Sequence, residues 1–190
     1  MTSPRILWED TMDELDKLRY PIGRFERLKE PLDRATRARV IDDIEQAPAR
    51  MRQLVAGLSD AQLEMPYRPG GWTIRQVVHH VPDSHMNAYI RMKFAVTEDA
   101  PTIKAYEEGR WAELVEAKSG PVGMSLDLLA ALHRRWVAFL RALPESEFQK
   151  TYVHSEMGRV TLDEAISLYS WHGRHHAAHV RQALNSVTTS

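Results

Sequence analysis

The chain has 190 residues, 43% apolar and 27% charged, with a formal net charge of −1 and no cysteine. That is enough apolar material for one domain with a sizeable core. The near-neutral charge argues against broad attraction to nucleic acid or anionic lipid, and the missing thiols exclude disulfides, cysteine-ligated zinc and a cysteine nucleophile.

Residues Ile6 to Leu18 suggest a short helix, ended by the turn chemistry of Tyr20-Pro21-Ile22-Gly23. Met1 to Asp10 lacks the apolar stretch of a signal peptide, and no run approaches the ~20 apolar residues of a membrane span, so a cytoplasmic protein is expected. Residues 1–32 read as an arm packed on the body, and residues 33–190 as a single domain. The first long helix follows Asp33, a good N-cap. Its apolar positions Val40, Ile41, Ile44, Met51, Leu54, Val55 and Leu58 keep a period near 3.6, and Pro48 is expected to bend it. Pro66, Pro69, Gly70 and Gly71 mark a connector.

The second helix starts at Thr73, where Thr73 and Gln76 form a T-x-x-Q capping box. Ile74, Val77, Val78, Val81, Ala88, Tyr89 and Met92 make its apolar stripe. His80, Asp83, Asn87 and Arg91 fall on an adjoining stripe. Pro82 removes the helical bond to the Val78 carbonyl. Residues 99–123 are looser, with a short helix around Trp111 to Val115; a connection this long suggests a pocket lid.

The third helix spans about Ser125 to Leu143, carried by Leu129, Leu132, Trp136, Phe139 and Leu140, and Pro144 stops it. Residues 148–160 fit either a small hairpin or a loop. The fourth helix starts at a second capping-box pattern, Thr161 and Glu164. Leu162, Ile166, Tyr169, Val180 and Ala183 mark its inner face, and Ser186 to Ser190 are expected to fray. Four amphipathic helices without a convincing strand predict an all-α four-helix bundle.

The nine histidines carry the chemistry. His172 and His176 are four apart and lie on the inner face, so two imidazoles can converge on one ion. No Glu follows His172, so this is not the H-E-x-x-H protease motif. His175 and His179 sit more to the side. His79 and His80 on the second helix compete for the third ligand position, and helix phase does not separate them. Asp83 and His85 are the candidate catalytic groups, and Asp83 is placed to accept a ring proton from His80. His133 and His154 read as structural or surface residues. Three nitrogen ligands leave positions open, as in a catalytic site.

Gly70-Gly71-Trp72-Thr73-Ile74-Arg75-Gln76-Val77-Val78-His79-His80-Val81-Pro82-Asp83-Ser84-His85-Met86-Asn87 closely resembles a stretch of the DinB/YfiT-like family. The segment from Trp171 and His172 to His179 and Val180 resembles that family's C-terminal H-x-x-x-H helix, and Tyr20-Pro21-Ile22-Gly23 supports the YfiT branch. The resemblance covers essentially the whole chain. It implies a four-helix bundle with one metal on His80, His172 and His176, which chooses His80 over His79; imidazole ligands suit a divalent ion such as zinc or nickel. It further implies a metal-dependent hydrolase, a small-molecule substrate and a homodimer. Related bundles include bacillithiol-dependent S-transferases, in which the metal activates a low-molecular-weight thiol. A non-catalytic metal-binding bundle is the third possibility. Pro82 departs from the family motif, where a small helix former is usual, and is expected to tilt the half-helix carrying His80.

Overall fold

The computed structural model describes residues 14–186. Four long helices make the body: α1 (Arg34–Val55), α3 (Ile74–Thr97), α6 (Val122–Ala142) and α7 (Leu162–Asn185). Short helices α2 (Asp60–Leu63), α4 (Glu108–Trp111) and α5 (Val115–Ser119) lie in the connections. α1 packs on α6 and α7, and α3 packs on the same two helices. The ring order is therefore α1, α6, α3, α7. The consecutive helices α1 and α3 sit diagonally, as do α6 and α7.

Local chemistry sets the helix starts. Asp33 accepts the Thr36 amide at 2.9 Å. Thr73 and Gln76 close the expected capping box. The spare amide nitrogen of Gln76 donates to the Ala112 carbonyl at 2.8 Å, tying the crossing segment to the start of α3. Only half of the second box forms: Thr161 accepts the Glu164 amide at 3.1 Å. The Glu164 carboxylate turns instead to Arg27, whose guanidinium also donates to the carbonyls of Met157 and Arg159. A charged partner on the arm outcompetes a neutral backbone amide.

Residues 148–160 resolve into a hairpin. Strands β2 (Thr151–His154) and β3 (Gly158–Thr161) pair antiparallel with Tyr152 opposite Val160, and Gly158 turns the chain at φ 70°. A third strand, β1 (Thr102–Ile103), lies parallel to β2 and was not expected. Two residues are too few to show a period of two in the sequence. Pro48 and Pro82 both lie inside continuous helices. Residues 14–19 are helical; 6–13 of that expected helix, and 187–190 of the expected frayed end, lie outside the described residues. No helix among the described residues is long and apolar enough to cross a membrane.

The core is split. One apolar cluster, with Ile44, Trp136, Tyr152 and Ile166, lies toward the sheet. A second, with Met51, Val78, Leu129 and Val180, lies toward the other end. On three helices, histidines occupy the level between the two.

Candidate metal centre

His80 on α3 and His172 and His176 on α7 each offer a ring nitrogen, and the three atoms lie within 4.8 Å of one another. His80 and His176 are buried, while His172 keeps a partly exposed edge. The Nε2 atoms of His80 and His172 are 3.3 Å apart. Two nitrogens on one tetrahedral zinc, at about 2.0–2.1 Å each, stand about 3.3–3.4 Å apart. The donor set therefore fits a first-row divalent cation with an affinity for imidazole. Burial holds the rings neutral: His80 is lowered to about 4, and His172 and His176 fall well below the ordinary histidine value, desolvation being the main cause and neighbouring histidines the next. Neutral imidazole is the form that binds metal.

Hydrogen bonding separates His79 from His80. The His79 Nε2 faces the Gly120 carbonyl at 3.1 Å and Nδ1 faces the Ser125 hydroxyl at 2.7 Å. Both nitrogens are used, so His79 ties α3 to the end of α5 and the start of α6.

The structure places the other predicted residues in different roles. His85 is fully buried behind His172, at 3.0 Å from its Nδ1. Asp83 is half-buried, one turn past His80, and its carboxyl is raised to about 6 by desolvation and the nearby Glu116. Among the described hydrogen bonds its side chain meets no histidine, so the expected contact with the His80 ring is not formed. His175 and His179 lie deeper than their side position suggested, at 7% and 2% exposure. His133 is buried against His85, and His154 is buried in the hairpin, where its Nδ1 accepts the amides of Glu156 and Met157.

Sequence reading missed three contributors. Trp72 lies 4.7 Å from the His80 ring and stacks over His176. Ser84 places its hydroxyl 3.4 Å from His172 Nε2. Gly173 gives room: a Cβ there would stand 3.3 Å from the Ala47 Cβ and 3.7 Å from the His85 ring. The presence of Trp72 and Ser84 in the quoted motif was the only available signal. A cleft of about 350 Å³ reaches His176, walled by Tyr67, Trp72, Glu108 and Gly109, with Arg19 and Arg68 also lining it. The expected lid segment, 99–123, thus contributes Glu108 and Gly109 to this wall. A larger cleft of about 500 Å³ lies near the end of α6, but Arg37, Arg141 and Glu145 there are already ion-paired.

The DinB superfamily profile matches residues 43–180. The chain belongs to the DinB superfamily. Relatives from Bacillus cereus (strain 03BB102) and Bacillus anthracis (strain CDC 684) are each 49% identical to it over 174 residues, covering 90% of this chain and 99% of their own. Both bear the name "Putative metal-dependent hydrolase". Among solved structures of this fold, Bacillus subtilis YfiT superposes with a TM-score of 0.88 at 41% identity, over 90% of this chain and 98% of its own. It is described as "a probable metal-dependent hydrolase with an unusual four-helix bundle topology". Another four-helix bundle protein, at 19% identity and a TM-score of 0.51, covers 81% of this chain and 99% of its own and shares the fold alone.

Proposed function

We propose that this DinB-superfamily chain is a metal-dependent hydrolase whose divalent ion is held by His80, His172 and His176. The observation that carries the reading is the convergence of three neutral ring nitrogens within 4.8 Å. When bound, such an ion supplies Lewis acidity and a water nucleophile at neutral pH.

The chain's own residues do the rest. Burial keeps the three rings unprotonated near pH 7. Trp72 packs its ring against His80 and lies parallel to His176, holding both rings in place. The cleft that reaches His176 gives access and is sized for a small molecule. Asp83, raised to about 6, is suited to hold or release a proton near neutrality and is our candidate proton-handling group. His85 has no exposed surface and acts through His172. From the described part of the arm, Arg19 and Tyr20 add to the wall of this cleft. Zinc or nickel suits the donor set, and a second copy of the chain is the partner this reading carries.

A thiol S-transferase is the second reading. The chain contains no cysteine, so any thiol activated at the site comes from solution. Elemental analysis of wild type beside His176→Ala tests the site: about one transition metal per chain is expected in wild type, with much less in the variant. Turnover of small esters and amides without thiol supports the hydrolase. Saturable, metal-dependent consumption of a low-molecular-weight thiol with an electrophile supports the transferase. Metal without turnover in either screen leaves a binding bundle, and no metal in wild type overturns the proposal.

A further inference from the structure

Two chains of hydrogen bonds run away from the candidate centre, and each ends on a backbone carbonyl. In the first, His172 Nδ1 lies 3.0 Å from His85 Nε2. His85 Nδ1 lies 2.7 Å from His133 Nε2. His133 Nδ1 lies 2.7 Å from the carbonyl of Ile44 on α1. In the second, His176 Nδ1 lies 3.4 Å from His179 Nδ1, and His179 Nε2 lies 3.0 Å from the carbonyl of Arg19.

A carbonyl only accepts, and a neutral imidazole has one N–H and one lone pair. These two facts assign every proton. His133 must donate from Nδ1 to Ile44, so its Nε2 is a lone pair. His85 must donate from Nδ1 to that lone pair, so its own Nε2 accepts. His172 must then carry its proton on Nδ1, which leaves the Nε2 lone pair facing His80. By the same steps His179 donates from Nε2 to Arg19, its Nδ1 accepts from His176 Nδ1–H, and His176 also keeps a free Nε2.

Both terminal carbonyls lack a helical partner for a reason visible in the sequence. The amide that would bond Ile44 within α1 belongs to residue 48, and Pro48 has no N–H. Arg19 is the last residue of the helical segment 14–19, where carbonyls go unpaired. A proline in one helix and the end of another thus supply fixed acceptors.

We propose that His133, His85 and His179 are positioning residues that lock His172 and His176 as Nδ1–H tautomers, with Pro48 freeing the acceptor that anchors the longer relay. The proposal rests on the three-histidine reading for its purpose, but the tautomers belong to the protein without metal. Because each relay ends on a carbonyl, neither has an exit for a proton, so each is a lock and not a wire. No carboxylate enters either relay, so they add no negative charge to the site.

The test is two-dimensional ¹H–¹⁵N spectroscopy of histidine rings in metal-free full-length protein, with zinc affinity measured by chelator competition. Wild type should show His133, His85, His172 and His176 protonated on Nδ1, and His179 on Nε2. His133→Phe should remove the single tautomer at His172 and weaken zinc about 10–100-fold, the usual effect of losing such a partner. His133→Gln, whose amide can donate to Ile44 and accept from His85, should restore both. Pro48→Ala returns a competing amide to Ile44 and should weaken zinc by less than His133→Phe. A His172 protonated on Nε2 in metal-free wild type overturns the lock, as does a His133→Phe that folds and binds zinc like wild type. Expected tautomers in a wild type that takes up no zinc would sink the metal reading and leave the lock standing.

Discussion

At the sheet end of the body, Arg37 and Asp163 meet side by side at 2.7 and 3.0 Å. Asp163 also accepts the Leu32 amide and the Gln149 side chain, while Arg37 gives further N–H groups to the Leu32 carbonyl and Glu145. At mid-bundle, the histidine cluster is built the opposite way. Its hydrogen bonds run outward to carbonyls, and its inward nitrogens face one another at distances that suit an ion. Both clusters are buried and polar. The first pairs its charges with each other and with neighbouring groups; the second turns three ring nitrogens toward one shared point, and nearby the buried Nδ1 of His175 also lacks a partner among the described residues. Buried polar groups are normally paired, so the unpaired direction marks a site.

The comparison breaks most sharply through metal content. Removing either ring of the α7 pair, as in His172→Ala, takes one of three donors, and metal should fall from about one per chain to near zero by elemental analysis. The fold should survive, because the flanking apolar clusters do not depend on that ring. Asp163→Ala should do the reverse. It leaves a buried guanidinium without its main partner and should cost about 3–5 kcal/mol in denaturant unfolding, with metal content per folded chain unchanged. A His172→Ala variant that keeps its metal, or an Asp163→Ala variant that folds normally without it, would mean that the two clusters have been assigned the wrong roles.

The helices and the histidine pair were legible because they rest on periodicity. Leu162, Ile166 and Tyr169 place His172 and His176 inward, and the structure keeps that face. Asp33 and the Thr73–Gln76 box marked real helix starts. What was not legible depends on side chains that meet across the bundle. His133 reads as an ordinary residue on α6, since its partners are His85 on α3 and a carbonyl on α1. The diversion of Glu164 to Arg27 spans 137 residues, so no local pattern announces it. Pro48 reads as a bend, and its effect on the Ile44 carbonyl appears only with His133 opposite. His79 and His80 are neighbours in phase, so periodicity does not separate them; the resemblance does, and the Gly120 and Ser125 contacts of His79 give the physical reason.

Acid should unfold the histidine layer before it touches the apolar clusters. His133 is lowered to about 4, chiefly by desolvation, and His80 and His179 lie at about the same value. Each is neutral when folded but gains a proton near 6.5 when unfolded. The unfolded chain therefore binds more protons between about 6.5 and 4, and stability falls as pH drops through that window. Asp83 acts oppositely: its folded value of about 6 lies above the unfolded one, so its contribution falls as pH rises from about 4 to 6. Several histidines outweigh one carboxyl, and chemical denaturation of metal-free protein should show a net loss toward pH 4. A flat profile would mean that the rings are solvated and the layer is not closed.

The weakest effect belongs to a third kind of polar cluster, on the surface. Arg141 reaches Glu45 at 2.7 Å and Asp42 at 2.8 Å, so by distance alone it rivals the Arg37 pair. All three side chains are about half exposed. Water competes for each charge and salt screens them, so geometry there converts into little stability. Arg141→Ala should cost less than about 1 kcal/mol in urea unfolding, shrinking further in high salt. Asp163→Ala should keep most of its cost in the same salt, because its partners are shielded from ions. Equal salt dependence in the two variants would show that the sheet-end cluster is more open to solvent than its burial indicates, and the contrast with the histidine layer would then rest on direction alone.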